Sequence, residues 1–185
     1  MKAYYQDRTR QAALLALAQE WFGTPFVPHA QVAGVGVDCV QLAAALYQGT
    51  GLLREFKPGK YTMDGGQHND GSRVTSWLEA SPHFAKAEAP WQVGDLLCFR
   101  MGRSVHHVGV VLTDRTFVHV YQGYTVGESW IDDSTWRKRL TLVFRPVEIT
   151  ASGTASPVVV TLPATEPLRV PLQNTVNTPW ERLVV

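Results

Sequence analysis

Two cysteines and six histidines are the residues best suited to chemistry in this 185-residue chain, and their settings differ. Cys39 sits in Asp38-Cys39-Val40-Gln41, where an acid is followed three residues later by Gln, the pattern of a capping box. That places Cys39 at the first helical position, facing unsatisfied backbone N–H groups and the positive end of the dipole. Such a setting lowers a thiol's pKa and sharpens it as a nucleophile. The same N–H groups suit a developing oxyanion. Cys98 lies in the apolar run Asp95-Leu96-Leu97-Cys98-Phe99 and reads as a small core hydrophobe.

A cysteine nucleophile wants a base, and the base wants a group that orients it. The histidines are His29, His68, His83, His106, His107 and His119. His68 and His83 fall in polar surroundings and read as surface residues. His107 opens the run Val108-Gly109-Val110-Val111-Leu112, and His119 ends Phe117-Val118-His119. If Thr113-Asp114-Arg115 is a three-residue hairpin loop, Leu112 pairs with Thr116 and His119 faces Gly109. His107 then becomes the diagonal neighbour of His119 on one face, with Gly109 leaving room between them. A two- or four-residue loop puts the two rings on opposite faces.

Each residue also has an ordinary reading. A lone Cys at a helix start is more often structural, and paired strand histidines are usually core or surface. Asp38 taken alone is a cap. Trp21, Trp77, Trp91, Trp130 and Trp136 read as core or rim. A zinc site built from Cys39, His106, His107 and His119 is disfavoured, because adjacent strand residues point to opposite faces. No metal and no cofactor is expected.

These residues need elements to hold them. Residues 8–21 read as an amphipathic helix with Asp7 as N-cap and Leu14, Leu15, Leu17, Ala18, Trp21 and Phe22 at helical spacing. Small residues from Val27 to Val37 read as a loop. The helix opened by Asp38 carries Leu42, Ala43, Leu46 and Tyr47 as its buried stripe and stops at Gly49 and Gly51. Residues 54–72 read as a long surface loop, and a short helix is expected from about Ser72 to Ala80. After Pro90 the period becomes that of strands, at Leu96–Met101, Val108–Leu112, Phe117–Tyr121, Val126–Ile131 and Leu140–Phe144. Helices first and strands after predict an α+β fold, N-terminal helices packed on a mostly antiparallel β-sheet, over residues 1–150.

Residues 151–185 differ. They hold five of the eleven prolines and only four charged residues, Glu166, Arg169, Glu181 and Arg182. Apolar residues without a period cannot close a core, yet they are too many for a solvating tail. An extended arm that docks on another protein is expected there. Lys and Arg total 17 against 16 for Asp and Glu, a net charge of +1 that argues against nonspecific nucleic-acid binding. Met1 to Arg10 is polar and Ala12–Ala18 is too short to span a bilayer, so neither a signal peptide nor a membrane span is expected. With no export signal, the two cysteines are expected as free thiols.

Together the motifs resemble the NlpC/P60 family, and within it the phage-tail branch. They are Gly23-Thr24-Pro25-Phe26, Gly34-Val35-Gly36-Val37-Asp38-Cys39, Gly94-Asp95-Leu96-Leu97-Cys98-Phe99-Arg100-Met101, His106-His107-Val108-Gly109-Val110-Val111, Phe117-Val118-His119 and Trp136-Arg137-Lys138-Arg139. The resemblance implies a papain-like cysteine peptidase that cuts an amide bond in peptidoglycan stem peptides through a thioester. It implies Cys39 as nucleophile, His107 as general base and His119 as the group orienting the base. Asp38 would help bind the substrate amine, with Phe26 and Gln41 lining the substrate site. Phe26 stands where the family usually has Tyr, and Val40-Gln41 where it favours a small pair. The branch further implies a protein made in the host cytoplasm and carried in the virion at the tail tip. The arm 151–185 would contact other tail-tip proteins there. A structural tail-tip protein that keeps the fold with little activity is the competing reading. A lipid acyltransferase or another amidase on the same scaffold is a further one.

Overall fold

The Asp7 carboxylate accepts the Arg10 N–H at 3.0 Å and opens α1, Arg8–Trp21. Its buried residues Leu14, Ala18 and Trp21 recur at helical spacing; of the rest of the expected stripe, Leu17 and Phe22 are partly buried and Leu15 faces outward. The structure is a computed structural model and describes residues 1–56 and 73–149. The expected loop at 54–72 lies mostly outside the described residues, and the expected arm at 151–185 lies wholly outside them.

The protein has an α+β fold, helices against a mostly antiparallel sheet. Two short strands, β1 (Gln31–Val32) and β2 (Gly36–Val37), pair within the stretch read as a loop. Helix α2, Cys39–Gly49, buries Leu42, Ala43, Leu46 and Tyr47. It ends where Gly51 takes a φ of 78°, a left-handed conformation that favours glycine. Helix α3 spans Arg73–Ala80.

The main sheet has six strands in the order β3-β8-β4-β5-β6-β7. They are β3 (Phe84–Lys86), β4 (Leu96–Met101), β5 (Ser104–Val111), β6 (Thr116–His119), β7 (Gly127–Trp130) and β8 (Leu140–Pro146). Helix α4, Ser134–Arg139, precedes β8 and is capped by the Asp133 side chain. The sequence reading missed β1, β2, β3 and α4. The strands are two or three residues long, and the helix buries only Trp136, so none offers a period to read.

The hairpin that carries the histidines has the three-residue loop. Val110 pairs with Val118 and Val111 with Phe117, the register that pairing Leu112 with Thr116 requires. Thr113 Oγ1 holds the loop by accepting the Arg115 and Thr116 N–H groups.

The two sheet faces carry different contents. Leu96, Cys98, Val108, Val110, Leu112, Val118 and Val120 form one core with α1 and α2. The rings of Phe99, His107, Phe117, His119 and Trp136 pack against one another on the other face, mostly tilted or edge-on. Gly109 does not leave a gap between the histidines. The Phe117 ring fills the space where its side chain would stand, and a Cβ there would also meet the Val118 carbonyl.

One buried ion pair ties the sheet together. Arg145 Nε and an Nη donate to the two oxygens of Asp95 at 2.9 and 2.8 Å, and Asp95 also accepts the Gln92 N–H. Breaking such a pair strands a charge and leaves an N–H unsatisfied. Asp95→Ala is expected to cost about 3 kcal/mol, read as a lower urea midpoint at unchanged slope. An unchanged midpoint would show the pair contributes nothing.

Candidate active site

The site starts at the head of α2. Asp38 is fully buried, and its two oxygens accept the N–H groups of Gln41 at 2.9 Å and His29 at 2.7 Å. One bond caps the helix; the other pins the preceding loop, where His29 holds a φ of 61°. Phe26 bridges to Val37 in parallel and packs partly buried against the core, beside this helix start. Gln41 is half-buried, and its carbonyl accepts from the Gln31 side chain. Phe26, Asp38, Cys39 and Gln41 are thus gathered around one helix end.

Cys39 is the first residue of α2 and is 3% exposed. Its thiol donates to the His106 carbonyl at 3.8 Å, and its sulfur also receives the Val108 N–H. The sulfur therefore lies against the backbone on both sides of His107. The reason is a bulge. Phe99 pairs with His107 and Arg100 with Val105, so His106 is the extra residue on β5. A bulge disrupts the ladder and bends its strand, and the Cys39 thiol meets the carbonyl at that point.

The thiol's electrostatics correct one expectation. Burial pushes the Cys39 pKa up to about 12, and the Asp38 carboxylate adds to this. The N–H groups of Val108, Val40 and Cys39 act in the opposite direction but do not win. Desolvation of a thiolate outweighs a few partial charges when no water reaches the sulfur. Burial, with Cys39 nearby, also raises the Cys98 thiol, which is fully buried in the same core. Both cysteines are free.

The histidines form a relay. His107 Nε2 lies 3.0 Å from His119 Nδ1, and His119 Nε2 lies 2.9 Å from Ser129 Oγ. All three residues are buried. Trp136 stacks on the His107 ring with centroids 5.2 Å apart, and the Tyr121 ring meets it edge-on at 5.5 Å. Burial lowers the His119 pKa to about 3. Burial also holds His107 well below the usual imidazole range, with smaller contributions from His119, His106 and Arg139. Both rings are therefore neutral, and each carries one proton.

Two polarities of the relay are possible. In one, the protons sit on His107 Nε2 and His119 Nε2, and His107 Nδ1 is a free acceptor. In the other, the protons sit on both Nδ1 atoms, and His107 has no acceptor to offer. Only the first makes His107 a base.

The structure brings His107, His119 and Ser129 together and gathers Cys39 with Asp38 and Phe26. Among the described residues, no hydrogen bond joins Cys39 to the His107 ring. Ser129 and Trp136 were not singled out from sequence as site residues. Ser129 enters through the β6–β7 register, Phe117 facing Ser129, and no local motif marks it. Trp136 carried a signal, the Trp-Arg-Lys-Arg motif, without a role attached. His106 turns its ring to Ser104, 3.3 Å from Oγ. Among the described residues no group of three or more His, Cys, Asp or Glu is placed to hold a metal ion, and no helix is long and apolar enough to cross a membrane.

Comparison with known proteins concerns the domain as a whole. The model of the NlpC/P60 family matches residues 23–145. A solved NLP/P60-family protein similar to a lipoprotein, from Staphylococcus aureus subsp. aureus Mu50, aligns with a TM-score of 0.53 at 19% identity. That alignment covers 77% of this chain and 43% of the other. An NlpC/P60-family protein from Bacillus cereus ATCC 10987 aligns at 0.50 and 18% identity, over 72% of this chain and 39% of the other. The NlpC/p60 domain of the peptidoglycan hydrolase SagA aligns at 0.48 and 19% identity, over 75% of this chain and 98% of that domain. This chain thus spans less than half the length of the first two. No curated protein matches it significantly.

Proposed function

The chain belongs to the NlpC/P60 family, and on that premise we propose that it is a cysteine peptidase cleaving an amide bond in peptidoglycan stem peptides. The observation that carries this reading is the position of the Cys39 sulfur. It lies at a helix start against the backbone flanking His107, whose ring is backed by His119 and Ser129.

The reaction follows from neutral partners. With the thiol near pKa 12 and His107 held neutral, the resting pair is thiol and imidazole, not thiolate and imidazolium. In the substrate complex the thiol turns from the His106 carbonyl to His107 Nδ1, since contacts loose in the free enzyme tighten on binding. Nδ1 takes the proton as sulfur attacks the amide carbon, and the N–H groups of Cys39 and Val40 receive the oxyanion. The His107 proton then passes to the departing amine. Water, activated by the same nitrogen, hydrolyses the thioester. His119 and Ser129 hold His107 in the tautomer that accepts at Nδ1. Asp38 contributes by fixing the helix start beside the substrate's amine end; it is buried, with both oxygens accepting backbone N–H groups, so it makes no contact with that amine. Phe26 and Gln41 line that end.

The phage tail tip is the proposed setting, with residues 1–150 as the peptidase domain and 151–185 as an arm that docks on other tail-tip proteins. The Trp136-Arg137-Lys138-Arg139 motif and the Pro-rich composition of the arm support it. A tail-tip part that keeps the fold with little activity is favoured by one observation, the buried thiol with its raised pKa.

Digestion of purified peptidoglycan by the wild-type chain decides between them. New amine ends in the stem peptides, located by mass spectrometry, are the expected product. No new ends after prolonged incubation would leave the assembly role alone.

A further inference from the structure

Five of the chain's 17 basic residues gather at one corner. Arg100 and Arg103 lie on and just beyond β4, at the β4–β5 hairpin. Arg137, Lys138 and Arg139 form the last turn of α4. Arg139 ties the two groups together, because an Nη donates to Met101 Sδ at the hairpin at 3.3 Å. A thioether is a weak acceptor and offers no counter-charge.

None of the five has a carboxylate within ion-pair distance among the described residues. Four other cations are paired, Lys2 and Arg10 with Glu148, Lys86 with Glu79 and Arg145 with Asp95, while Arg115 lies over the Trp130 ring. Helix α4 itself holds no acid, and Asp133 before its other end is committed to the cap. Basic residues in a last helical turn do complement the dipole, but that does not account for Arg100 and Arg103 on the neighbouring hairpin. Like charges crowded without a counter-ion repel, and an anionic ligand relieves the repulsion.

The corner adjoins the proposed active site. Arg139 follows Trp136 by three residues, so both lie on one side of α4, and Trp136 stacks on the His107 ring. Arg139 is only partly exposed, whereas the other four cations are exposed. A planar guanidinium presents paired donors that match a carboxylate.

We propose that this corner is an anion subsite of the cleft, in which Arg139 receives a carboxylate of the substrate peptide close to the scissile amide. Arg100, Arg103, Arg137 and Lys138 supply the surrounding field. Stem peptides carry free carboxylates, so the proposal rests on the peptidase reading and deepens it. Arg139 is a specificity residue and takes no part in bond making.

Two synthetic stem peptides test it, identical except that the side carboxylate nearest the scissile bond is free in one and amidated in the other. The wild-type enzyme is expected to favour the free acid about tenfold in kcat/KM, chiefly through KM, as expected for one charge-assisted bond. In Arg139→Gln the ratio falls to near one, and in Arg139→Lys it is intermediate. Arg139→Met, which keeps a flexible stem against Met101, gives the same loss if the Gln variant folds poorly. An unchanged ratio in these variants, or no preference in the wild type, overturns the subsite. So does tight binding of an oligonucleotide or a glycerol-phosphate polymer without discrimination between the peptides, since the corner would then serve another partner. Cleavage of neither peptide by the wild type sinks the peptidase reading instead.

Discussion

Replacing Cys39 by alanine is expected to lower turnover of peptidoglycan peptides by at least about 10⁴-fold, as for other residues that form the covalent intermediate. Its fold should survive. The sulfur is one buried atom, and its removal costs about 1 kcal/mol, which a thermal melt would show as a small shift. His107→Ala should lose a comparable factor, because a thiol near pKa 12 supplies almost no thiolate without its base. The double variant should be no slower than the slower single one, since the two residues act as a unit. A Cys39→Ala protein within tenfold of wild type would end the proposed mechanism.

The same electrostatics shape the pH profile of kcat/KM. The base must be neutral, and burial keeps His107 neutral well below the usual imidazole pKa. The acid limb is therefore expected below pH 6.5, the ordinary imidazole value.

Much of this site was legible because its parts obey local rules. A capping acid fixes where α2 begins, and so fixes Cys39 as its first residue. A hairpin loop of three residues fixes parity, and parity puts His107 and His119 on one face; the 3.0 Å contact follows from counting. The long helices and the five longer strands were legible for the same reason, since a repeated buried stripe or alternation shows in any window.

What was not legible depends on burial and on irregularity. The thiol was expected low because the helix start was visible and the depth of the site was not. The sheet and helices that bury Cys39 reverse the sign. The bulge at His106 leaves no mark in the sequence, yet it shapes the strand where the sulfur lies. Ser129 joins through a register set 10 residues away, and Trp136 through a helix too short to show a period. Gly109 was read as space for two imidazoles, but space in a packed sheet goes to the nearest large ring, here Phe117.

The buried histidines make a second large prediction, that the fold is acid-labile well above the pH of carboxylate protonation. An unfolded histidine takes up a proton near pH 6.5, whereas His119 in the folded chain resists until about pH 3. Below pH 6.5 the unfolded state therefore binds more protons, so stability falls as pH falls, until the folded pKa is reached. At pH 4.5 His119 alone costs roughly 2–3 kcal/mol relative to pH 7, a large share of the typical 5–15 kcal/mol of a domain. His107, lowered by the same burial, acts in the same direction. Urea titrations from pH 7 to 4 should thus show stability falling steeply. In His119→Gln the slope should flatten by about one proton, or roughly 1.4 kcal/mol per pH unit. Equal slopes in the two proteins would mean that His119 ionises alike in the folded and unfolded chains, and the neutral relay behind Cys39 would lose its physical basis.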